Sequence, residues 1–294
     1  MSPGQKGDGN GMVKTREKNG IYERQPFELF AYHDRKPALD HSVFHFHNNY
    51  EILLYLNGNL EMYIEQSRYL PIPGTLFVIN TEEVHKGTLL DSEDYERYVI
   101  HVSASVIQPL LGYDVDLLAC FHGHEPGKQN AVVLSKEEIV EFCEIFSKLK
   151  LILDTEPYGK EVLKISCVAQ LMTMVNHAFS HTIMPARPVS NLASGIMDYV
   201  ENHLSGPLSL ESIAAALFMD KYYLAHQFKK QTGDSLYHFI LMKRIALARR
   251  LLGEGLSVTE VCERSGFNNY NNFIRTFRKY VNMSPGEYRK HQTE

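Results

Sequence analysis

The sequence predicts an α+β multidomain chain: a β-barrel, a helical segment, and an all-α C-terminal domain with two helix-turn-helix units. Three observations carry this. Short β-rich runs separated by turn residues fill Phe27 to Ser103. Apolar residues then recur at helical spacing from Lys136 to Ser180. Near the C-terminus one small helical unit is written twice. A length of 294 residues suits two domains.

Residues 1–20 are polar and Gly-rich with no apolar core, so they read as a disordered tail and not a signal peptide. Residues 21–115 form the predicted barrel. Its runs include Glu51–Gly58, Leu60–Ile64, Gly74–Ile79 and Tyr95–His101, spaced as in a small barrel or sandwich. Within it lies His45-Phe-His47-Asn-Asn-Tyr-Glu51, followed by Gly58, then by Pro73-Gly74 and His85. The His-x-His-x3-Glu-x6-Gly pattern resembles the first motif of the cupin superfamily, and the Pro-Gly and His85 run resembles a degenerate second motif. The resemblance implies a cupin-like barrel with a ligand cavity, and effector contacts are expected at His45, His47, Glu51, Tyr55 and His85.

His45 and His47 alternate on a strand, so both can face one cavity. With Glu51 and His85 they offer three imidazoles and a carboxylate, a donor set used by iron, manganese or zinc. The other reading is a metal-free, hydrogen-bonded cluster at the cavity mouth. Resemblance to sensor barrels favours that second reading, and no metal or other cofactor is expected.

Residues 116–181 are expected to be helical, over Lys136–Leu153 and Lys160–Ser180. Core packing against the barrel accounts for their apolar faces, and dimerisation is the further expectation. Residues 182–190, with Pro185 and Pro188, read as a linker because proline breaks helices.

Residues 191–294 hold the repeat. Leu210, Ile213 and Ala214 match Val258, Val261 and Cys262 at a shift of 48 residues. Asp220, Leu224 and Phe228 match Asn269, Phe273 and Phe277 at a shift of 49, so the second turn has one extra residue, beside Gly266. Asp220 and Asn269 are suitable N-caps. The apolar pair at i, i+4 packs each second helix inward. Lys221, Tyr222, Ala225, His226 and Lys229 then face outward in the first unit, and Tyr270, Asn271, Asn272, Arg275 and Arg278 in the second. Asn pairs bidentately with adenine and Arg with guanine, whereas Lys and Arg at the helix edges suit phosphates. A solvated polar face is the ordinary explanation for one such helix, but the tandem repeat with caps points to double-stranded DNA. Tyr237–Leu252 reads as one connecting helix about 24 Å long.

These residues resemble the DNA-binding domain of the arabinose-regulator (AraC/XylS) family. The match includes Tyr223-Leu224, Phe228-Lys-Lys, Gly233, Arg244, Ala248-Arg-Arg-Leu-Leu252, Gly266-Phe267, Phe273, Phe277-Arg-Lys-Tyr280 and Ser284–Arg289. The resemblance implies base reading by Tyr222, Ala225 and His226, and by Asn271, Asn272 and Arg275. Ala225 offers only an apolar contact, for example to a thymine methyl. The expected function is sequence-specific transcriptional regulation under a small-molecule effector, a sugar or related metabolite. A homodimer in contact with operator DNA and RNA polymerase is implied. The rival is a metal-dependent cupin enzyme with a helical appendix. Two spaced base-reading helices argue against it.

Charge agrees. Residues 191–294 carry 13 Lys and Arg against 10 Asp and Glu, a net +3, while the remainder carries 17 against 25, a net −8. A nucleic-acid surface therefore belongs at the C-terminus. Cys120, Cys143, Cys167 and Cys262 lack metal-type spacing and read as reduced thiols of a cytoplasmic protein. No apolar run approaches 18 residues, and no membrane contact is expected.

Overall fold

The computed structural model describes residues 28–35, 43–90, 95–112, 114–182 and 191–293. The expected N-terminal tail and all but the first residue of the expected linker lie outside them.

Eight strands build the N-terminal domain: β1 (Leu29–Asp34), β2 (Tyr50–Asn57), β3 (Leu60–Ile64), β4 (Ser67–Tyr69), β5 (Thr75–Ile79), β6 (His85–Leu89), β7 (Glu96–Val102) and β8 (Ala131–Val133). They form a five-stranded sheet, ordered β1-β7-β2-β5-β8, and a three-stranded sheet, ordered β4-β3-β6. All named pairings are antiparallel. β8 pairs with β5 although it follows the expected barrel boundary at residue 115. Its three-residue Ala-Val-Val run is too short to show a period, and only its partner strand makes it a strand.

In the large sheet β2, β5 and the second half of β7 are buried on both faces, and side-chain alternation divides them. Leu53 and Tyr55 of β2, Phe77 and Ile79 of β5 and Val99 of β7 point between the sheets, where they meet Leu60, Met62, Ile64 and Tyr69. Ile52, Leu54, Leu76, Val78 and Ile100 point the other way, onto helices. Two short helices, α1 (Ala104–Ile107) and α2 (Ala119–His122), precede the long pair α3 (Lys136–Asp154) and α4 (Lys160–His181). Ser135 and Glu138 close a capping box at the start of α3. By length and hydropathy α4 alone among the described helices passes for a membrane span, at mean hydropathy 1.2. Its Cys167, Val168, Leu171, Met172 and Val175 are instead fully buried in the core on the barrel.

The C-terminal domain contains α5 (Leu192–Asn202), α6 (Leu210–Ala216), α7 (Lys221–Thr232), α8 (Leu236–Gly253), α9 (Val258–Arg264), α10 (Tyr270–Val281) and α11 (Pro285–Thr293). The pairs α6–α7 and α9–α10 are the repeated unit. Asp220 accepts hydrogen bonds from the Tyr222 and Tyr223 amides at 2.9 Å, and Asn269 accepts one from Asn272 at 2.8 Å. The extra turn residue falls beside Gly266, at φ +78°. A Cβ there would lie 2.3 Å from the Leu204 carbonyl oxygen, so the turn of the second unit sits against the segment after α5 only because this position lacks a side chain. Helix α8, 18 residues long, is the connecting helix and contributes to both units' cores.

The outer face of the small sheet packs directly on the first unit. Phe44, Tyr63 and Val84 belong to the same buried cluster as Ile213, Leu224, Phe228 and Phe239. The Phe44 ring lies 4.9 Å from that of Phe239.

Candidate functional site

The inward positions of β2, β6 and β7 bring a set of buried ionisable groups together at one end of the space between the sheets. Glu51 of β2 faces His101 of β7 across the register. Its Oε2 lies 2.7 Å from His47 Nε2, 3.4 Å from His85 Nε2 and 3.9 Å from His101 Nε2. The other ring nitrogens of His47 and His85 meet the carbonyls of Asn49, at 2.7 Å, and Glu83, at 2.9 Å. His45 joins His85 through a two-way backbone bridge, its ring 4.3 Å from that of His85.

Burial alone would raise Glu51, but His101, His47 and His85 around it hold its carboxyl well below the usual range. Burial lowers His47 against the pull of Glu51, and lowers His101 strongly. Burial also opposes charge on His85, yet its contact with Glu51 raises it overall. The cluster, called the chamber below after the expected ligand cavity, is therefore a carboxylate shared chiefly between His47 and His85, beside a neutral His101.

Four of the five expected effector contacts, His45, His47, Glu51 and His85, thus converge. Tyr55 does not. It is 1% exposed in the core between the sheets and donates to the Gly58 carbonyl. Strand parity put it on the inner face, but depth along the strand carried it away from the chamber. His101 was missed. The only signal for it was the inward parity of Val99 and His101 on β7.

As to a metal, the ligand atoms of His47, Glu51 and His101 lie within 4.8 Å of one another. This is a different trio from the motif-derived set, with His101 entering. The donor types fit a divalent ion, and the backbone acceptors behind His47 and His85 are of the kind that orient metal ligands. The 2.7 Å approach of His47 to Glu51 is also that of a hydrogen bond, with a proton where an ion would sit.

The DNA-facing candidates lie on α7 and α10. Tyr222 (74% exposed), His226 and Lys229 are open to solvent, while Ala225 is half-buried. Lys221 is drawn aside by Glu211, 2.8 Å away. On α10 the buried side is Phe273, Phe277 and Val281, and the exposed side is Tyr270, Asn271, Asn272, Arg275 and Arg278. Tyr270, Asn271, Arg275 and Arg278 line a shallow groove. Arg275 Nη2 donates to Asn272 Oδ1 at 3.1 Å, which orients both. Phe218, in the turn between α6 and α7 at φ +55°, is 98% exposed.

Polar contacts, none signalled by sequence, tie the barrel to this domain. Lys86 of β6 donates to the Thr232 carbonyl at the end of α7, and burial pushes its ammonium down to about 8. The Asp234 carboxylate accepts from the Phe44 amide at 2.8 Å. Arg249 of α8 donates to the Thr81 carbonyl, at 3.0 Å, and to Asn48 Oδ1, at 2.7 Å. Lys243 of α8 pairs with Glu65 of the barrel and, at 2.8 Å, with Glu201.

Residues 26–150 match the family model for the AraC-like ligand binding domain, and residues 213–291 that for a helix-turn-helix domain. The chain is 33% identical over 139 residues to the uncharacterized HTH-type transcriptional regulator YijO of Escherichia coli, covering 47% of this chain and 49% of that one. It is 34% identical over 95 residues to the multiple antibiotic resistance protein MarA of Escherichia coli, covering 32% of this chain and 75% of MarA. Among solved structures, ToxT of Vibrio cholerae aligns at 15% identity and TM-score 0.35, over 90% of this chain and 98% of that one. The sequence matches are to regulators of transcription and not to enzymes. The chain belongs to the AraC family of helix-turn-helix transcriptional regulators, with an AraC-like ligand-binding domain ahead of the DNA-binding domain.

Proposed function

We propose that this chain regulates transcription by binding operator DNA through α7 and α10, under control of a small polar effector held in the barrel at His47, Glu51, His85 and His101. A sugar or related metabolite suits a chamber whose groups donate and accept hydrogen bonds. The observation that carries the reading is the thinness of the partition. In β6, His85 faces the chamber and its neighbour Lys86 faces the end of α7, and His45 and Phe44 divide in the same way. An effector that prefers one arrangement of the chamber therefore also selects one arrangement of the first unit. No metal is expected in this reading; a divalent ion, were one bound, would be held by His47, Glu51 and His101. A homodimer, contact with RNA polymerase and a cytoplasmic location belong to the same proposal.

The test is selection of bound DNA from a random pool, with and without candidate sugars. The expected result is one enriched motif whose recovery changes with a sugar in the native chain but not in His47→Ala. No enrichment of any motif overturns the DNA reading. An enriched motif indifferent to every sugar overturns the assigned effector class.

A further inference from the structure

On the outer face of the small sheet, Tyr63 of β3 and Lys86 of β6 are direct partners across the antiparallel register, so their side chains leave the sheet together. Both are buried. The Tyr63 hydroxyl donates to the Gln231 carbonyl at 3.2 Å, and the Lys86 ammonium donates to the Thr232 carbonyl. Gln231 and Thr232 are the last two residues of α7. The final carbonyls of a helix have no partner within it. Gly233, left-handed at φ +74°, returns its amide to Lys229, and the barrel supplies the donors for Gln231 and Thr232. The approach is close, since a Cβ at Gly233 would lie 2.9 Å from Lys86 Nζ. The Tyr63 hydroxyl also accepts from the side chain of Asn191, the N-cap of α5, at 3.2 Å.

Helix α10 ends differently. Asn282, left-handed at φ +62°, returns its amide to the Arg278 carbonyl at 3.0 Å. The buried members of that unit's core all lie between Ile245 and Tyr288. The barrel reaches this unit through Phe46, packed against the core, and through Arg249, bonded to Thr81 and Asn48. Those hydrogen bonds fall on the connecting helix α8 and not on α10. Moving the barrel would therefore strip donors from two buried carbonyls of α7, at the turn that carries Lys229, and leave the end of α10 as it is.

We infer that Tyr63 and Lys86 are positioning residues for DNA reading by the first unit: through Gln231 and Thr232 they hold α7 in place, whereas α10 reads without them. The inference rests on the reading of α7 and α10 as the DNA-facing helices. It gives the two units unequal parts. The second anchors the chain on DNA, and the first engages its half of the operator only while the barrel caps α7. Effector control then acts on one half of the operator.

Selections with Tyr222→Ala/His226→Ala and with Asn271→Ala/Arg275→Ala assign the two halves of the enriched DNA motif to α7 and α10. If neither pair alters the motif, the reading of those helices fails and the inference with it. Gel-shift titration of the full chain then compares the intact motif with duplexes scrambled in either half. The cost of scrambling the α7 half is expected to fall about tenfold in Lys86→Met and about threefold in Tyr63→Phe. The cost of scrambling the α10 half should stay as in the native chain. A protein that is merely destabilised loses active fraction and leaves both ratios unchanged. Tyr63→Phe removes one hydroxyl and keeps the ring in the core, so it carries the test alone if Lys86→Met does not fold. Unchanged costs for both halves, or equal falls in both, overturn the inference and leave the reading of α7 and α10 intact.

Discussion

Glu51 illustrates how position and not residue type makes a site. The carboxyl is 5% exposed and keeps its charge only because imidazoles surround it. His47 and His101 are both held below their ordinary value of 6.5. As pH falls through 6.5, the unfolded chain takes up protons that these folded rings refuse, so stability present above 6.5 is lost on acidification. His85 is raised, and its own contribution is already complete at 6.5. Glu65, pushed up to about 7 by burial, acts in the opposite sense, so the comparison must be between variants. Denaturant midpoints at pH 7.5 and 5.5 should differ less in His101→Gln than in the native chain; equal differences would remove His101 from the chamber's proton balance. On the exposed face of α10, Arg275 is oriented by Asn272 and stands in the shallow groove. Arg275→Ala is expected to weaken specific operator binding by about 1–3 kcal/mol and to relax preference at one base position. Gel-shift titration against single-base operator variants checks this, and an unchanged preference profile would exclude Arg275 from base reading.

The two helix-turn-helix elements differ in their turns more than in their helices. Both turns carry one left-handed residue: Phe218 in the first, at φ +55°, and Gly266 in the second, at φ +78°. Phe218 has open solvent around it, whereas Gly266 lies against Leu204 and Arg244. Gly266→Ala therefore combines an unfavourable backbone conformation with a clash, and should destabilise by more than about 1 kcal/mol. Gly255→Ala is the control. Its φ of +88° is equally left-handed, but a Cβ there meets nothing within 4 Å. Denaturant unfolding of both variants separates the contributions: equal losses would mean that the close approach of this turn to Leu204 and Arg244 has no energetic weight.

At the scale of the molecule, the barrel completes the core of the first DNA-binding unit. Phe44 is fully buried among Phe228, Phe239 and Tyr63. Lys243, 6% exposed, is matched by carboxylates from both domains. Burial disfavours its charge, but Glu65 and Glu201 raise it overall. A buried pair of this kind contributes less to net stability than to fixing one arrangement, since either partner alone would be costly. The apolar contact supplies the affinity. Phe44→Ala is expected to cost about 3–5 kcal/mol and to accelerate amide hydrogen exchange in α7 and α8, which lie beyond the substituted domain. Exchange that quickens only within the barrel would show that the first unit holds its core without Phe44.

The sequence alone determined the local grammar of this protein. The caps Asp220 and Asn269, the apolar i, i+4 pairs and the repeat offset by one residue identified both units, because each signal lies within a few residues along the chain. The pattern from His45 to Glu51 marked the chamber for the same reason. Tertiary structure decided what depends on groups distant in sequence. It brought His101 to Glu51 across β7 and β2, moved Tyr55 into the core, and made a strand of Ala131–Val133. It also set Phe44, Glu65 and Lys86 against a domain more than a hundred residues away. Parity and periodicity say which face a side chain takes; only packing says what stands opposite it.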